Sequence, residues 1–353
     1  MYISKKINRN QSGFSLIEIM VGLVIGLIAT LVIMNVITAF EGQKRTTTGN
    51  ADAQVNGSIA LYNIQRQVQM AGFGLPIFDA SATANYSPLK CTSSLIDHDG
   101  NAGTANVDFF PISITDGGAT GNDTITVRYF PAPNGGLPAS VTTVAGLILG
   151  VDNNLGCTNG DTALVVSGTT CKAAIVNDTD LATDTTHITL AGPDVASMVS
   201  GSRVSCLGSP ATRQEITYRI NASQLESNGT PVISGIVGLQ AQYGISASST
   251  SNQVTQWVEP TAVTTANRNQ IRAIRIAVIA RNGLPEKPPA VTTVCTSTTA
   301  PATGLCAWEG TSTSPAPAIS AAALTAMGGT NYRYRVYNTV IPLRNLTWSG
   351  AWL

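Results

Sequence analysis

The chain has 353 residues, 43% of them hydrophobic and only 11% charged, with 20 Lys/Arg balancing 20 Asp/Glu. A formal net charge of zero argues against wholesale electrostatic attraction to DNA or to an acidic lipid surface. Six cysteines contain no Cys-x-x-Cys pair, and His98 and His187 lie near none of them, so structural zinc spacing is absent.

The first predicted element is a long apolar helix. Lys5, Lys6 and Arg9 form a basic head without an acid, and the 22 residues from Ile19 to Phe40 carry no charge and no proline. At about 1.5 Å per residue, a helix of that length spans a hydrocarbon core of roughly 30 Å. Glu18 stands just inside the start of the run. A carboxylate costs about 2.5–3.5 kcal/mol at the centre of a membrane helix and less near its end, which marks it as a functional residue by default. A secretory signal has a shorter apolar core followed by an Ala-x-Ala-like site, and none follows Phe40. A plain signal anchor accounts for the length and the basic flank. It does not account for Glu18 or for Gly13-Phe14.

The junction Gly13-Phe14-Ser15-Leu16-Ile17-Glu18-Ile19-Met20 resembles the type IV prepilin signature. The resemblance implies cleavage after Gly13 by a prepilin peptidase, N-methylation of Phe14, and an assembly role for Glu18. Cleavage frees an ammonium on Phe14. In a stack of such helices, Glu18 of one subunit meets the Phe14 ammonium of a neighbour, and two groups that are each costly in an apolar filament core neutralise one another. Such pairing repays desolvation only with good geometry, and removing one partner strands the other.

The helix is expected to continue through residues 41–75, where no proline occurs before Pro76. Leu61, Ile64, Val68, Ala71 and Leu75 recur at three- and four-residue steps, while Val55, Ile59 and Tyr62 fall on another face. One face suits the protein's own head domain and the other the helices of neighbouring subunits. Gly72, Gly74 and Pro76 close the helix.

Beyond it the pattern turns to strands. Val107–Thr115 and Asp123–Phe130 are β-rich and joined by turn residues, and 163–167, 187–190, 215–220 and 271–280 are further candidates. Around residues 332–337, Tyr332, Tyr334 and Val336 alternate with Arg333, Arg335 and Tyr337. Residues 292–330 form a long Thr/Ser/Ala/Pro-rich excursion.

An even cysteine count in a head facing an oxidising compartment reads as disulfides. Among Cys91, Cys157, Cys171, Cys206, Cys295 and Cys306, locality favours Cys157–Cys171 and Cys295–Cys306, leaving Cys91–Cys206. Residues 76–267 hold 6 Lys/Arg against 15 Asp/Glu, and residues 268–353 hold 8 against 2. Either the two segments pair as strands and cancel locally, or acidic and basic faces of successive subunits meet.

Asp97, Asp99, Asn101 and Asp108 fall at positions 1, 3, 5 and 12 of an EF-hand-like calcium loop. Position 6 is Ala102 and position 12 is not glutamate, so a polar surface loop is the competing reading. No nucleophile elbow, Walker loop or His-Glu-x-x-His occurs, and no enzymatic activity and no other cofactor is expected. The arginines of the last segment alternate with apolar residues, which suits solvated or salt-bridged strand faces better than nucleic-acid binding.

The resemblance extends into the head. Asn122-Asp123-Thr124-Ile125-Thr126-Val127-Arg128-Tyr129, Glu215-Ile216-Thr217-Tyr218-Arg219-Ile220, the run 236–244, Ile271-Arg272-Ala273-Ile274-Arg275, and Tyr332 to Tyr337 through Asn345 resemble the PilW family of minor type IV pilins. Residues 131–210 and 284–330 have no clear counterpart there. Asn35 stands where many major pilins carry a proline that kinks the stem, so this helix should be more continuous. The expected fold is α+β: a pilin with a long N-terminal helix, transmembrane then amphipathic, packed on an antiparallel sheet with long disulfide-pinned loops. The expected organisation is a cleaved leader at 1–13, a transmembrane or filament-core helix at 14–40, its amphipathic continuation at 41–75, and a β-rich head at 76–353. The resemblance implies a subunit held in the inner membrane with its head in the periplasm, then placed at the pilus tip. It further implies priming of assembly with other minor pilins, and as partners the major pilin, a PilY-class tip adhesin, the prepilin peptidase and the inner-membrane assembly platform. The alternatives are a J-type minor pseudopilin of a type II secretion system, and an adhesin or receptor whose stem merely anchors it.

Overall fold

The computed structural model describes residues 13–75, 88–93, 95–118, 120–131, 137–193, 195–286, 305–308 and 321–347. The leader residues 1–12 and most of the 292–330 excursion lie outside them. Two compact units separate between Gly49 and Asn50.

Helix α1 (Leu16–Gln69) runs 54 residues without a break, and it passes straight through Asn35. No proline interrupts it, and the hydroxyls of Thr30, Thr38, Thr46 and Ser58 fold back onto carbonyls three or four residues earlier. In the first unit the apolar side chains from Leu16 to Phe40 are exposed within the chain. This helix is long and apolar enough to cross a membrane.

In the second unit α1 buries Ala53, Gly57, Ala60, Ile64 and Val68, a stripe at three- and four-residue steps. Val55, Ile59 and Tyr62 stay exposed on the other side. The helix stops six residues earlier than Leu75, which corrects the expected end. The backbone of the following turn is taken by the sheet instead: Gly72 N donates to Arg128 O (3.0 Å), and Phe130 N donates to Phe73 O (2.8 Å). Gly74, at φ +79°, brings the chain so close to Phe130 that a Cβ there would overlap the Phe130 carbonyl.

The strands follow in chain order. A short pair, β1 (Leu95–Ile96) and β2 (Val107–Asp108), precedes β3 (Ile112–Thr115) and β4 (Thr124–Tyr129). The run 107–115 is therefore two strands, not one. Next come β5 (Pro138–Ala145), β6 (Ile148–Val151), β7 (Thr162–Ser167), β8 (Thr170–Val176), β9 (His187–Ala191) and β10 (Arg203–Cys206), which close into a six-stranded barrel. Then β11 (Gln214–Asn221), β12 (Gln224–Ser227) and β13 (Thr230–Ser234) join β4 and β3 in a five-stranded antiparallel sheet. Because β11 pairs directly with β4 (Gln214 opposite Tyr129, Tyr218 opposite Ile125), the whole barrel is an insertion between two neighbouring strands. A four-stranded sheet follows, built from β14 (Ile236–Ser246), β15 (Val254–Val258), β16 (Ile271–Arg281) and, after helix α2 (Ala321–Ala326), β17 (Tyr334–Pro342). Helix α3 (Arg344–Thr347) comes last.

Both faces of β16 are covered, which is why it reads as a nearly continuous apolar run. Ile274, Ile276, Val278 and Ala280 share a core with Ile64 and Val68 of α1, and with Ile112, Ile125 and Val127 of the five-stranded sheet. Ala277 and Ile279 face Trp308, Leu324 and Met327. A fully buried aliphatic side chain contributes about 1.5–3 kcal/mol, so this stripe fixes the stem onto the head. The barrel has its own core of Val141, Leu149, Val165, Ala174, Ile188 and Val204.

The disulfides are Cys91–Cys171 and Cys157–Cys206, with Cα–Cα distances of 5.5 and 5.0 Å. They overturn the Cys157–Cys171 and Cys91–Cys206 pairing expected from locality. The β7–β8 hairpin carries Cys171 to the segment before β1, where Thr92 N donates to Thr169 O (2.9 Å). Topology, not sequence distance, chose the partner. Closing loops of 80 and 49 residues is worth about 4 kcal/mol each in the chain-entropy account. Cys306 is also disulfide-bonded, and Cys295 lies outside the described residues.

The acidic and basic segments do pair as strands, β14 with β16, but among the described residues no ion pair joins them. Ion pairs between described residues stay within one segment: Arg128 with Asp108 and Glu215, Arg213 with Glu215, Arg219 with Glu226, and Arg333 with Glu286. Arg272, buried to 4% exposure, instead donates to the carbonyls of Ser249, Ser251, Asn269 and Ile271. Arg275 lies over the rings of Trp257 and Trp308, at 5.0 and 4.2 Å from their centroids. These arginines are internal fasteners, not solvated strand faces.

Candidate functional site

The sequence-predicted processing residues lie at the start of α1. Residues 13–15 are not helical, and Phe14 is 81% exposed. The Gly13–Phe14 junction thus lies outside the helix, with the Phe14 side chain exposed. Ser15 O accepts from Glu18 N (2.9 Å) and Ile19 N (3.2 Å), which places Glu18 in the first helical turn. A carboxylate there complements the positive end of the helix dipole. Its side chain is exposed within the chain, free to meet a neighbour.

The four calcium-loop candidates are not all aimed at one centre. Asp97 Oδ1 accepts from the N–H groups of Asp99 and Gly100, Asp99 Oδ1 from Asn101, and Asn101 Oδ1 from Gly103. Asp97, His98 and Asp99 hold ligand atoms within 4.8 Å of one another. Asp108 is committed to Arg128 (3.0 Å), whose guanidinium also reaches Glu215, Phe110 O and Ser113. That takes away the carboxylate that position 12 of a calcium loop requires.

A second cluster escaped the sequence reading. His187, at the start of β9, faces Asp178, Asp180 and Asp184. Burial works against its charged form, but the three carboxylates outweigh it and raise its pKa. Its sequence signal was Asp178-x-Asp180 with Asp184 three residues before His187, a spacing that becomes a cluster only once the strand β9 turns the imidazole back over the loop.

Buried Asp123 ties the two sheets. Its Oδ1 accepts from Gly117 N (3.0 Å) and its Oδ2 from Ala241 N (2.7 Å). Burial pushes its pKa up to about 6 against those two donors, and Asp116 and Glu259 push the same way. Near it a cleft of about 250 Å³ is lined by Asp116, Gln240, Glu259 and Met327.

Residues 8–34 match the prokaryotic N-terminal methylation motif, and residues 208–345 match PilW, Type IV Pilus-assembly protein W. The chain carries the prepilin N-terminus of a type IV pilin and, over residues 208–345, a PilW head. The second match begins two residues beyond β10, so the inserted barrel lies outside it, and the match takes in the four-stranded sheet and β11–β13. Among solved structures the pilin is similar to a type IV-like pilin from Thermus thermophilus, at 9% identity over 83% of this chain and 96% of that one, with a TM-score of 0.33. No curated protein matches it. The pilin is a minor type IV pilin, a structural member of the pilus with a membrane-anchoring N-terminal helix.

Proposed function

We propose that this minor pilin primes pilus assembly together with other minor pilins and remains at the filament tip. The observation that carries the reading is the pairing of one carboxylate, Glu18, in the first turn of an uninterrupted apolar helix with a PilW head. Before assembly the subunit sits in the inner membrane with its basic leader in the cytoplasm and its disulfide-bonded head in the oxidising periplasm. The prepilin peptidase cuts after Gly13, Phe14 is N-methylated, and Glu18 then meets the ammonium of a neighbouring subunit. Val55, Ile59 and Tyr62, left exposed on α1, suit packing against the helices of adjacent subunits, the major pilin among them. The inner-membrane platform lifts the subunit, and a large PilY-class adhesin is the fitting partner at the tip. The role needs neither a cofactor nor nucleic acid.

Deleting the gene tests this reading. Loss of surface pili with protein secretion intact supports it. Loss of secretion with pili intact would instead assign the subunit to a type II secretion system.

A further inference from the structure

The inserted barrel carries a group of side chains that the proposed assembly role leaves without a part. The loop from β8 to β9 supplies Asp178, Asp180 and Asp184, and His187 opens β9. Imidazole Nε2 lies 3.6 Å from Asp178 Oδ2 and 3.3 Å from Asp180 Oδ1. On the other side of the ring, Nδ1 lies 3.2 Å from Asp184 Oδ2.

Backbone N–H groups and a threonine hydroxyl hold two of these carboxylates in place. Asp178, with its side chain 1% exposed, accepts from Thr189 N on β9 (2.7 Å) and from Asp180 N (3.1 Å). Asp184 Oδ1 accepts from Thr186 N (2.8 Å) and Thr186 Oγ1 (2.6 Å). Among the described residues no Lys or Arg forms an ion pair with any of the three carboxylates, so one imidazole faces three acids.

An ion pair accounts for the charges but not for the spacing. Charge-assisted N–H···O bonds run about 2.7–2.9 Å, and both Nε2 separations are longer. Two ligands at about 2.0–2.1 Å from a tetrahedral zinc ion sit roughly 3.3–3.4 Å apart. The Nε2-to-carboxylate separations bracket that value. A metal-bound histidine donates its remaining N–H to a carboxylate, which fixes the ring, and Asp184 occupies that place. A divalent cation would displace the proton from Nε2 and take its place between the ring and the two carboxylates, leaving Nδ1–H to Asp184.

We propose that His187 Nε2, Asp178 Oδ2 and Asp180 Oδ1 bind a divalent metal ion of the zinc class, with Asp184 as the positioning residue for the imidazole. An imidazole ligand suits such an ion and not calcium, which takes oxygen ligands. The ion pins the ten-residue loop between β8 and β9 to the barrel wall.

The test uses the untagged full-length pilin in detergent, stripped with chelator and titrated with Zn²⁺ or Ca²⁺ while heat of binding and Tm are followed. Zn²⁺ should bind and raise Tm, and Ca²⁺ should do neither at this site. Asp180 is half exposed, so Asp180→Asn leaves the fold intact. Asp180→Asn and His187→Gln should each weaken Zn²⁺ binding about 100-fold, and Asp184→Asn about 10- to 100-fold. Asp99→Asn should leave it unchanged. Failure of the wild type to bind Zn²⁺ overturns the proposal, as does unchanged affinity in Asp180→Asn and His187→Gln. Loss of binding in Asp99→Asn alone would place the ion at Asp97–Asp99 and equally overturn it.

Discussion

Tyr337 of β17 lays its ring against Gly57 of α1, so closely that a Cβ on residue 57 would overlap the ring and come within 3.2 Å of Ala280 Cβ. The stem meets its sheet at a glycine because no larger residue fits between α1 and Tyr337. Gly57→Ala should therefore lower stability. Helix propensity gains about 1 kcal/mol from the change, but overpacking costs about 1–3 kcal/mol. Gly42→Ala, where nothing lies within 4 Å, should be neutral or stabilising. Thermal unfolding of both variants in detergent checks the contrast. Equal shifts for the two would mean that Tyr337 yields freely.

The disulfides give a second prediction. Peptide mapping without reduction should recover Cys91 linked to Cys171 and Cys157 linked to Cys206. A Cys157–Cys171 peptide would contradict the barrel topology, since β7 and β8 would then have to abandon their hairpin register. Replacing Cys157 and Cys206 together by Ser should cost about 2–4 kcal/mol.

Asp123 gives a pH dependence with a defined sign. Its pKa is raised from 3.8 to about 6 in the folded protein. Between those values the folded state holds a proton that the unfolded state releases, so stability falls as pH rises from about 4 to about 6 and is flat above. The shift corresponds to about 3 kcal/mol. Asp123→Asn removes this slope. Relative to the wild type, the variant should therefore be less handicapped at pH 7 than at pH 4. Unfolding curves of the two proteins across that range measure the difference, and parallel curves would contradict the raised pKa.

The stem and the outer sheets were legible because their signals are local. A 22-residue uncharged run, the three- and four-residue steps of Ile64, Val68 and Ala71, and the β-branched run of β16 each report directly on what they bury. The end of α1 was not legible, since it depends on β4 capturing the carbonyl and N–H groups of the turn at 70–74. The barrel was not legible either. Its strands are short, half of its pairings are non-sequential, and β10 reaches back to β5 and β7. The cysteine pairing failed for the same reason. Gly13, Phe14 and Glu18 are adjacent in sequence and could be read there, whereas the histidine of the metal-binding proposal meets its carboxylates only through the fold of the barrel.

Assembly of Glu18→Ala tests the central claim most directly. The variant should insert in the membrane and lose its leader at the wild-type rate, but be recovered in sheared pili at a small fraction of the wild-type amount. Recovery at the wild-type level would contradict the pairing of Glu18 with the Phe14 ammonium of a neighbouring subunit.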